Sequence, residues 1–161
     1  RFGSNGRHEF RLEAMTELIA IAIVKSHNEG FRVNSIPEEL KQLVDAALSA
    51  REHAYAPYSE YRVGAAVLTA SGAIHRGCNV ENVSYGLTIC AERNAIGTAV
   101  ASGDQQFEVI VICTEDGGTP CGACRQVIGE FGNVRVVTIN ARGQVVLDTS
   151  MQQLLPNAFR R

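Results

Sequence analysis

From Ser35 onward the apolar positions follow two different periods. Leu40, Leu43, Val44, Ala47 and Leu48 recur at intervals of three, one, three and one, the spacing of one face of a helix. Ahead of them Ser35-Ile36-Pro37-Glu38-Glu39 offers a capping residue, an early proline and acidic residues for the positive helix start, so a helix is predicted from Pro37 to Ala54. Ala56-Pro57-Tyr58-Ser59 reads as a turn, and Tyr61 to Thr69 and Ala73 to Val80 read as two strands joined at Ala70-Ser71-Gly72. Helical spacing returns from Cys90 to Ser102 and again from Cys121 to Phe131. Between these helices Phe107 to Thr114 holds the unbroken run Val109-Ile110-Val111-Ile112, which suits a strand covered on both faces. Val134 to Asn140 reads as another strand, Gln144 to Leu147 as an edge strand and Ser150 to Leu155 as a short last helix. Strands alternating with helices predict an α/β fold: a three-layer α/β/α arrangement on a mixed sheet of about five strands, in which an initial hairpin joins parallel strands.

The first residues follow neither period. Residues 1–14 contain Gly3-Ser4, Glu9-Phe10 and Leu12-Glu13, dipeptides that common restriction sites encode, and are expected to be a disordered, vector-derived leader. Residues 15–36 form an N-terminal extension whose apolar stretch Thr16 to Lys25 is too short, and too poor in a small-residue cleavage pattern, for a signal peptide. The catalytic domain is expected over residues 37–161.

Charge narrows the partners. A formal net charge of −2 and a pI near 6.1 leave no clustered Lys and Arg for a polyanion, which weighs against a nucleic-acid substrate. No apolar run approaches a membrane span. The cysteines number five, an odd count that implies no disulfide framework and suits a reducing compartment, the cytoplasm.

Three of those cysteines carry the candidate chemistry. Cys90-Ala91-Glu92 followed by Pro120-Cys121-Gly122-Ala123-Cys124 is the three-cysteine form of a zinc-deaminase signature, in which the glutamate moves protons and is not a ligand. Three thiolates bind Zn²⁺ and leave one tetrahedral corner open, the feature that separates catalytic from closed structural zinc. The structural alternative is a zinc ribbon, which needs a fourth ligand, and only Cys78 and Cys113 are spare. Cys113 ends an apolar run and reads better as a core residue. Both cysteine groups are predicted at helix starts, where free backbone N–H groups and the macrodipole offset thiolate charge. Arg93 is placed to donate hydrogen bonds to thiolate sulfur.

In order along the chain stand Ala54-Tyr55-Ala56-Pro57-Tyr58-Ser59, Val63-Gly64-Ala65-Ala66, Gly77-Cys78-Asn79-Val80-Glu81-Asn82, Cys90-Ala91-Glu92-Arg93, Pro120-Cys121-Gly122-Ala123-Cys124-Arg125-Gln126 and Leu154-Leu155-Pro156. With these blocks the chain resembles the small, homotetrameric, zinc-dependent cytidine deaminases, over about Glu38 to Phe159. The resemblance implies the cytidine-deaminase-like fold and hydrolytic conversion of cytidine and 2′-deoxycytidine to the uridines with release of ammonia. It implies Cys90, Cys121 and Cys124 as zinc ligands and Glu92 as the carrier of protons to ring N3 and the departing amino group. It further implies Asn79 and Glu81 at the ribose 3′-hydroxyl, the Ala91 N–H at the base carbonyl, and Phe159 reaching the base in a neighbouring subunit, so that active sites are shared. Tyr61 stands where the family usually has Phe, which keeps an aromatic face on the nucleoside and adds a hydroxyl. Three rival functions use the same residues: a deaminase acting on nucleic acid, a zinc-stapled interaction module, and deamination of an aminopyrimidine antibiotic.

Overall fold

Both faces of the central strands are apolar, and both are covered. The computed structural model describes residues 36 and 38–159; the expected leader, the extension up to residue 35 and the proposed Ser35 cap lie outside the described residues. A 3₁₀ turn at Glu38–Leu40 leads into α1, Lys41–Glu52. There follow β1 (Gly64–Thr69), β2 (Ile74–Cys78), a 3₁₀ turn (Tyr85–Leu87), α2 (Ala91–Ala101), β3 (Phe107–Cys113), α3 (Gly122–Gly129), β4 (Arg135–Ile139), β5 (Val145–Ser150) and α4 (Met151–Leu154).

The five strands form one sheet in the order β2-β1-β3-β4-β5. Only β3 and β4 run parallel; β1 pairs antiparallel with both β2 and β3, and β4 with β5, so the sheet is mixed with a single parallel pair. On one face Leu40, Leu43, Val44 and Ala47 of the first helical segment pack on Ala66, Val109, Val111, Cys113, Val137 and Ile139. On the other, Ala91, Ala95 and Ile96 of α2, Ile128 of α3 and Met151 of α4 pack on Ala65, Val67, Ile110, Ile112 and Val136. Alternate residues of β3 thus serve different layers, which is why its sequence is apolar without a break. Cys113 is a core residue, as expected, with no exposure.

Two glycines let the layers close. A Cβ on Gly64 of β1 would lie 2.2 Å from the Ala47 carbonyl oxygen of α1, and one on Gly77 of β2 would lie 2.3 Å from the Ala95 nitrogen and 2.5 Å from the Ala91 oxygen of α2. These are backbone atoms that cannot swing aside, so both helices sit against the hairpin only because the strands are bare there.

The predicted elements are found with shifted ends. β1 begins at Gly64 and not at Tyr61, because the Asn79 side chain occupies the groups a strand partner would take: its Nδ2 donates to the Tyr61 carbonyl (2.9 Å) and its Oδ1 accepts from the Val63 N–H (2.9 Å). β5 runs on to Ser150 and pairs along the length of β4, so it is longer than the expected edge strand. α4 is capped reciprocally by Ser150 and Gln153, a capping box. Among the described residues no helix is long and apolar enough to cross a membrane.

Candidate active site

The register of the sheet gathers the site. Gly64 pairs with Cys78 on one side and with Cys113 on the other, so the residues one step beyond, Val63, Asn79 and Thr114, meet at the same sheet end. The starts of α2 and α3 come to that end. Cys90 is the residue before α2 and Cys121 the residue before α3, both in extended backbone conformation and both without a side-chain cap, while Cys124 lies in the first turn of α3. Each helix therefore presents unpaired N–H groups beside sulfur.

The Sγ atoms of Cys90, Cys121 and Cys124 all lie within 4.8 Å of one another. Among the described residues they form the only group of three or more Cys, His, Asp or Glu side chains so gathered; Cys78 bonds the His53 carbonyl and Cys113 is in the core, so neither offers the fourth ligand a zinc ribbon needs. Three soft thiol donors at tetrahedral-ligand spacing, with a cavity on the fourth side, fit Zn²⁺. A hydrogen bond from Cys124, with help from Arg93, lowers the Cys90 thiol below its ordinary range, and the same bond pushes Cys124 up. A cation in place of that proton would leave all the sulfurs as thiolates.

Arg93 backs this cluster. Its Nη2 donates to the Thr88 carbonyl (3.0 Å) and to Cys90 Sγ (3.5 Å), and its buried Nε has no hydrogen-bond partner among the described residues. Glu92 is only 4% exposed despite its charge. Burial raises its carboxyl above the usual carboxylate range, as the neighbouring Cys90 does to a lesser degree. A carboxyl placed so holds its proton more readily than an exposed one does.

Above these groups opens a cavity of about 300 Å³ whose lining includes Tyr61, Asn79, Glu81, Cys90, Glu92 and Cys121. A hollow of about 410 Å³ beside His53, His75 and Arg76 is larger, but no acid, thiol cluster and apolar wall converge there, so volume alone does not choose the site. Glu81 accepts from the Tyr58 N–H (2.8 Å), the Ser59 N–H (3.2 Å) and the Ser59 hydroxyl, and these bonds, the hydroxyl's first, hold its carboxyl below the usual range. Tyr61 donates its hydroxyl to Asp116 Oδ1 (2.8 Å). Ala91 is fully buried as the first residue of α2. Phe159 does not line the cavity of its own chain; it is 76% exposed, and its carbonyl accepts from Gln126 Nε2 (3.2 Å).

Ser59, Thr88, Thr114 and Gly118 also line the cavity, and sequence reasoning gave none of them a role. Ser59 was visible only as part of a turn, and Thr114 as the end of a strand. The Asp116-Gly117-Gly118 turn just before Pro120-Cys121 was the available signal, since such turn residues place backbone close to a ligand.

The comparisons agree with this geometry. Residues 37–140 match the model of the cytidine and deoxycytidylate deaminase zinc-binding region. The chain is 46% identical over 125 residues to a probable cytidine deaminase of Dictyostelium discoideum, covering 76% of this chain and 84% of that protein. It is 42% identical over 127 residues to the cytidine deaminase of Sporosarcina psychrophila, covering 76% of this chain and 93% of that one. Among solved structures, the cytidine deaminase of Burkholderia pseudomallei superposes with a TM-score of 0.70 at 45% identity, covering 77% of this chain and all of that one. That of Mycobacterium tuberculosis gives 0.68 at 35% identity, covering 78% of this chain and all of the other. With a zinc-binding family model matching residues 37–140 and relatives at 42–46% identity, the chain belongs to the cytidine and deoxycytidylate deaminase zinc-binding family.

Proposed function

We propose that the protein hydrolytically deaminates cytidine and 2′-deoxycytidine to uridine and 2′-deoxyuridine, releasing ammonia, in pyrimidine salvage. The observation that carries the reading is the meeting, on one cavity, of three thiols within 4.8 Å of one another and a buried carboxyl whose proton affinity is raised. Cys90, Cys121 and Cys124 would hold the zinc ion. When bound, zinc supplies a Lewis acid that lowers the pKa of water to near neutrality.

Glu92 takes one proton from the attacking water and delivers it to ring N3 as the C4–O bond forms, then takes the second proton from the new C4 hydroxyl and delivers it to the amino nitrogen, so that the C4–N bond breaks and ammonia departs. Its raised carboxyl suits these transfers, since an acid that held its proton less well would be a poor donor to N3. The Ala91 N–H, one of the free donors that open α2, takes the base carbonyl. Glu81 is kept ionised by Ser59 and Tyr58 and accepts from the ribose 3′-hydroxyl. Asn79 Oδ1 receives one backbone N–H and keeps a lone pair for the same sugar edge. Tyr61 sets its ring against the nucleoside. Arg93, donating to Cys90, stabilises the thiolate form.

Phe159 completes the site of a neighbouring subunit in a homotetramer, a role supported by its exposure in the single chain. The free thiols suit the cytoplasm. The test is the absorbance loss from cytidine and 2′-deoxycytidine with zinc-loaded protein, with and without a chelator, beside a cytosine-containing oligonucleotide. Chelator-sensitive turnover of the free nucleosides alone is expected. Absence of turnover by zinc-loaded protein, or turnover of the oligonucleotide alone, would overturn the assignment.

A further inference from the structure

We propose that Tyr61 and Asp116 form a latch across the cavity, and that the hydroxyl of Tyr61 fixes the wall on which a nucleoside packs. The inference rests on the proposed function for the identity of the ligand. Tyr61 belongs to the segment between α1 and β1, whereas Asp116, Gly118 and Thr119 belong to the loop that runs from β3 to Cys121. The two walls are separate in sequence, and a side-chain hydrogen bond spans them, from Tyr61 Oη to Asp116 Oδ1 at 2.8 Å.

That bond continues into the frame of the fold. Asp116 Oδ1 also accepts from the Thr114 hydroxyl (3.1 Å), and Thr114 Oγ1 in turn accepts the N–H groups of Gly117 (2.8 Å) and Gly118 (2.6 Å). The Gly117 carbonyl accepts from Thr138 Oγ1 of β4 (2.8 Å). Gly118 leaves the space the hydroxyl needs, because a Cβ there would stand 3.0 Å from Tyr61 Oη. Burial raises the Tyr61 hydroxyl above its ordinary range, which keeps it a donor at any physiological pH.

The consequence is a division of labour. The Cys90, Cys121, Cys124 and Glu92 side chains are carried by the starts of α2 and α3, elements that contain neither Tyr61 nor Asp116. Tyr61 is therefore a positioning element for the ring it carries: removing its hydroxyl should weaken binding and leave the chemical step alone. A phenylalanine keeps the ring and loses the anchor.

The test uses the zinc-loaded full chain. Y61F should raise KM for cytidine about five- to tenfold, the loss of one net hydrogen bond, with kcat within about twofold of wild type. D116A should do the same, the double variant should be no worse than either single one, and D116N, which keeps an acceptor oxygen, should recover part of the loss. Zinc content should be unchanged throughout. Uridine affinity, measured by calorimetry, should fall in step with KM and does not depend on turnover, so it tests the latch even if the deamination reading fails. Unchanged KM and uridine affinity in Y61F, additive losses in the double variant, or a lowered melting temperature with KM unmoved would overturn the latch, while failure of wild-type turnover alone would overturn only the proposed function.

Discussion

Replacing Glu92 with Gln exchanges one carboxyl oxygen for an amide nitrogen and changes almost nothing else. The side chain is 4% exposed in the first turn of α2, and an isosteric amide fills the same space, so no cavity opens. The packing that seats α2, through Ala91, Ala95, Ile96 and Ala99, is untouched, and the three sulfurs keep their positions. What is lost is a group that can take a proton from water and hand it to the base. General acid/base catalysis contributes about 10²- to 10⁴-fold, or roughly 3 to 5 kcal/mol of barrier at 1.36 kcal/mol per tenfold. One carboxyl serves every proton transfer of the reaction, so the loss should be no smaller than the lower end of that range. The assay is the decline in cytidine absorbance under saturating substrate, beside metal analysis of the same sample. Zinc per chain should match wild type and kcat should fall by at least about a hundredfold. A zinc-replete E92Q with kcat near wild type would refute the assignment.

Other perturbations separate metal, packing and charge. Cys121→Ala or Cys124→Ala should lose zinc by metal analysis and fold less stably, as site assembly is coupled to chain order; full zinc occupancy in either would contradict the ligand set. Gly77→Ala forces a methyl to 2.3 Å from the Ala95 nitrogen, so α2 must move, and denaturant unfolding should record a loss of about 1 to 3 kcal/mol together with a lower kcat. Asp104 accepts from the Ser71 hydroxyl (3.0 Å) and pairs with His75 Nε2 (2.8 Å), bonds that hold its carboxyl below the usual range, His75's foremost. A depressed carboxyl adds stability above its unfolded value and loses it as pH falls through the folded one, so D104N should melt lower than wild type at pH 7, with the gap closing below about pH 4.

How much of this was legible follows from which forces the sequence displays. The three cysteines proposed for zinc, and Glu92, stood out because metal chemistry restricts residue type and spacing, and the three sulfurs lie within 4.8 Å of one another. The central strands were readable because burial on two faces leaves a continuous apolar run, as at Val109 to Ile112. The start of β1 was misplaced because its cause is remote: Asn79, beyond the next strand, takes the Tyr61 and Val63 backbone groups. Asp116 escaped notice for the same reason. Its partner Tyr61 lies 55 positions earlier, and a hydrogen bond between loops leaves no period in either one.

The electrostatics explain why such a site sits at two helix starts. Three thiolates on a divalent cation sum to −1, an excess that would make a bound water less acidic than neutral ligands would and so work against the chemistry. The fold answers with positive potential that needs no titratable group. Cys90 and Cys121 each precede a helix, so both sulfurs lie in the field of free N–H groups, and Arg93 adds a full charge 3.5 Å from one of them. Arg93→Gln would keep a donor at that place while removing the charge. If charge is what matters, zinc content should hold while the acid limb of the kcat/KM profile moves to higher pH; if the guanidinium served only to bond the Thr88 carbonyl, the profile would stay where it is and only stability would change.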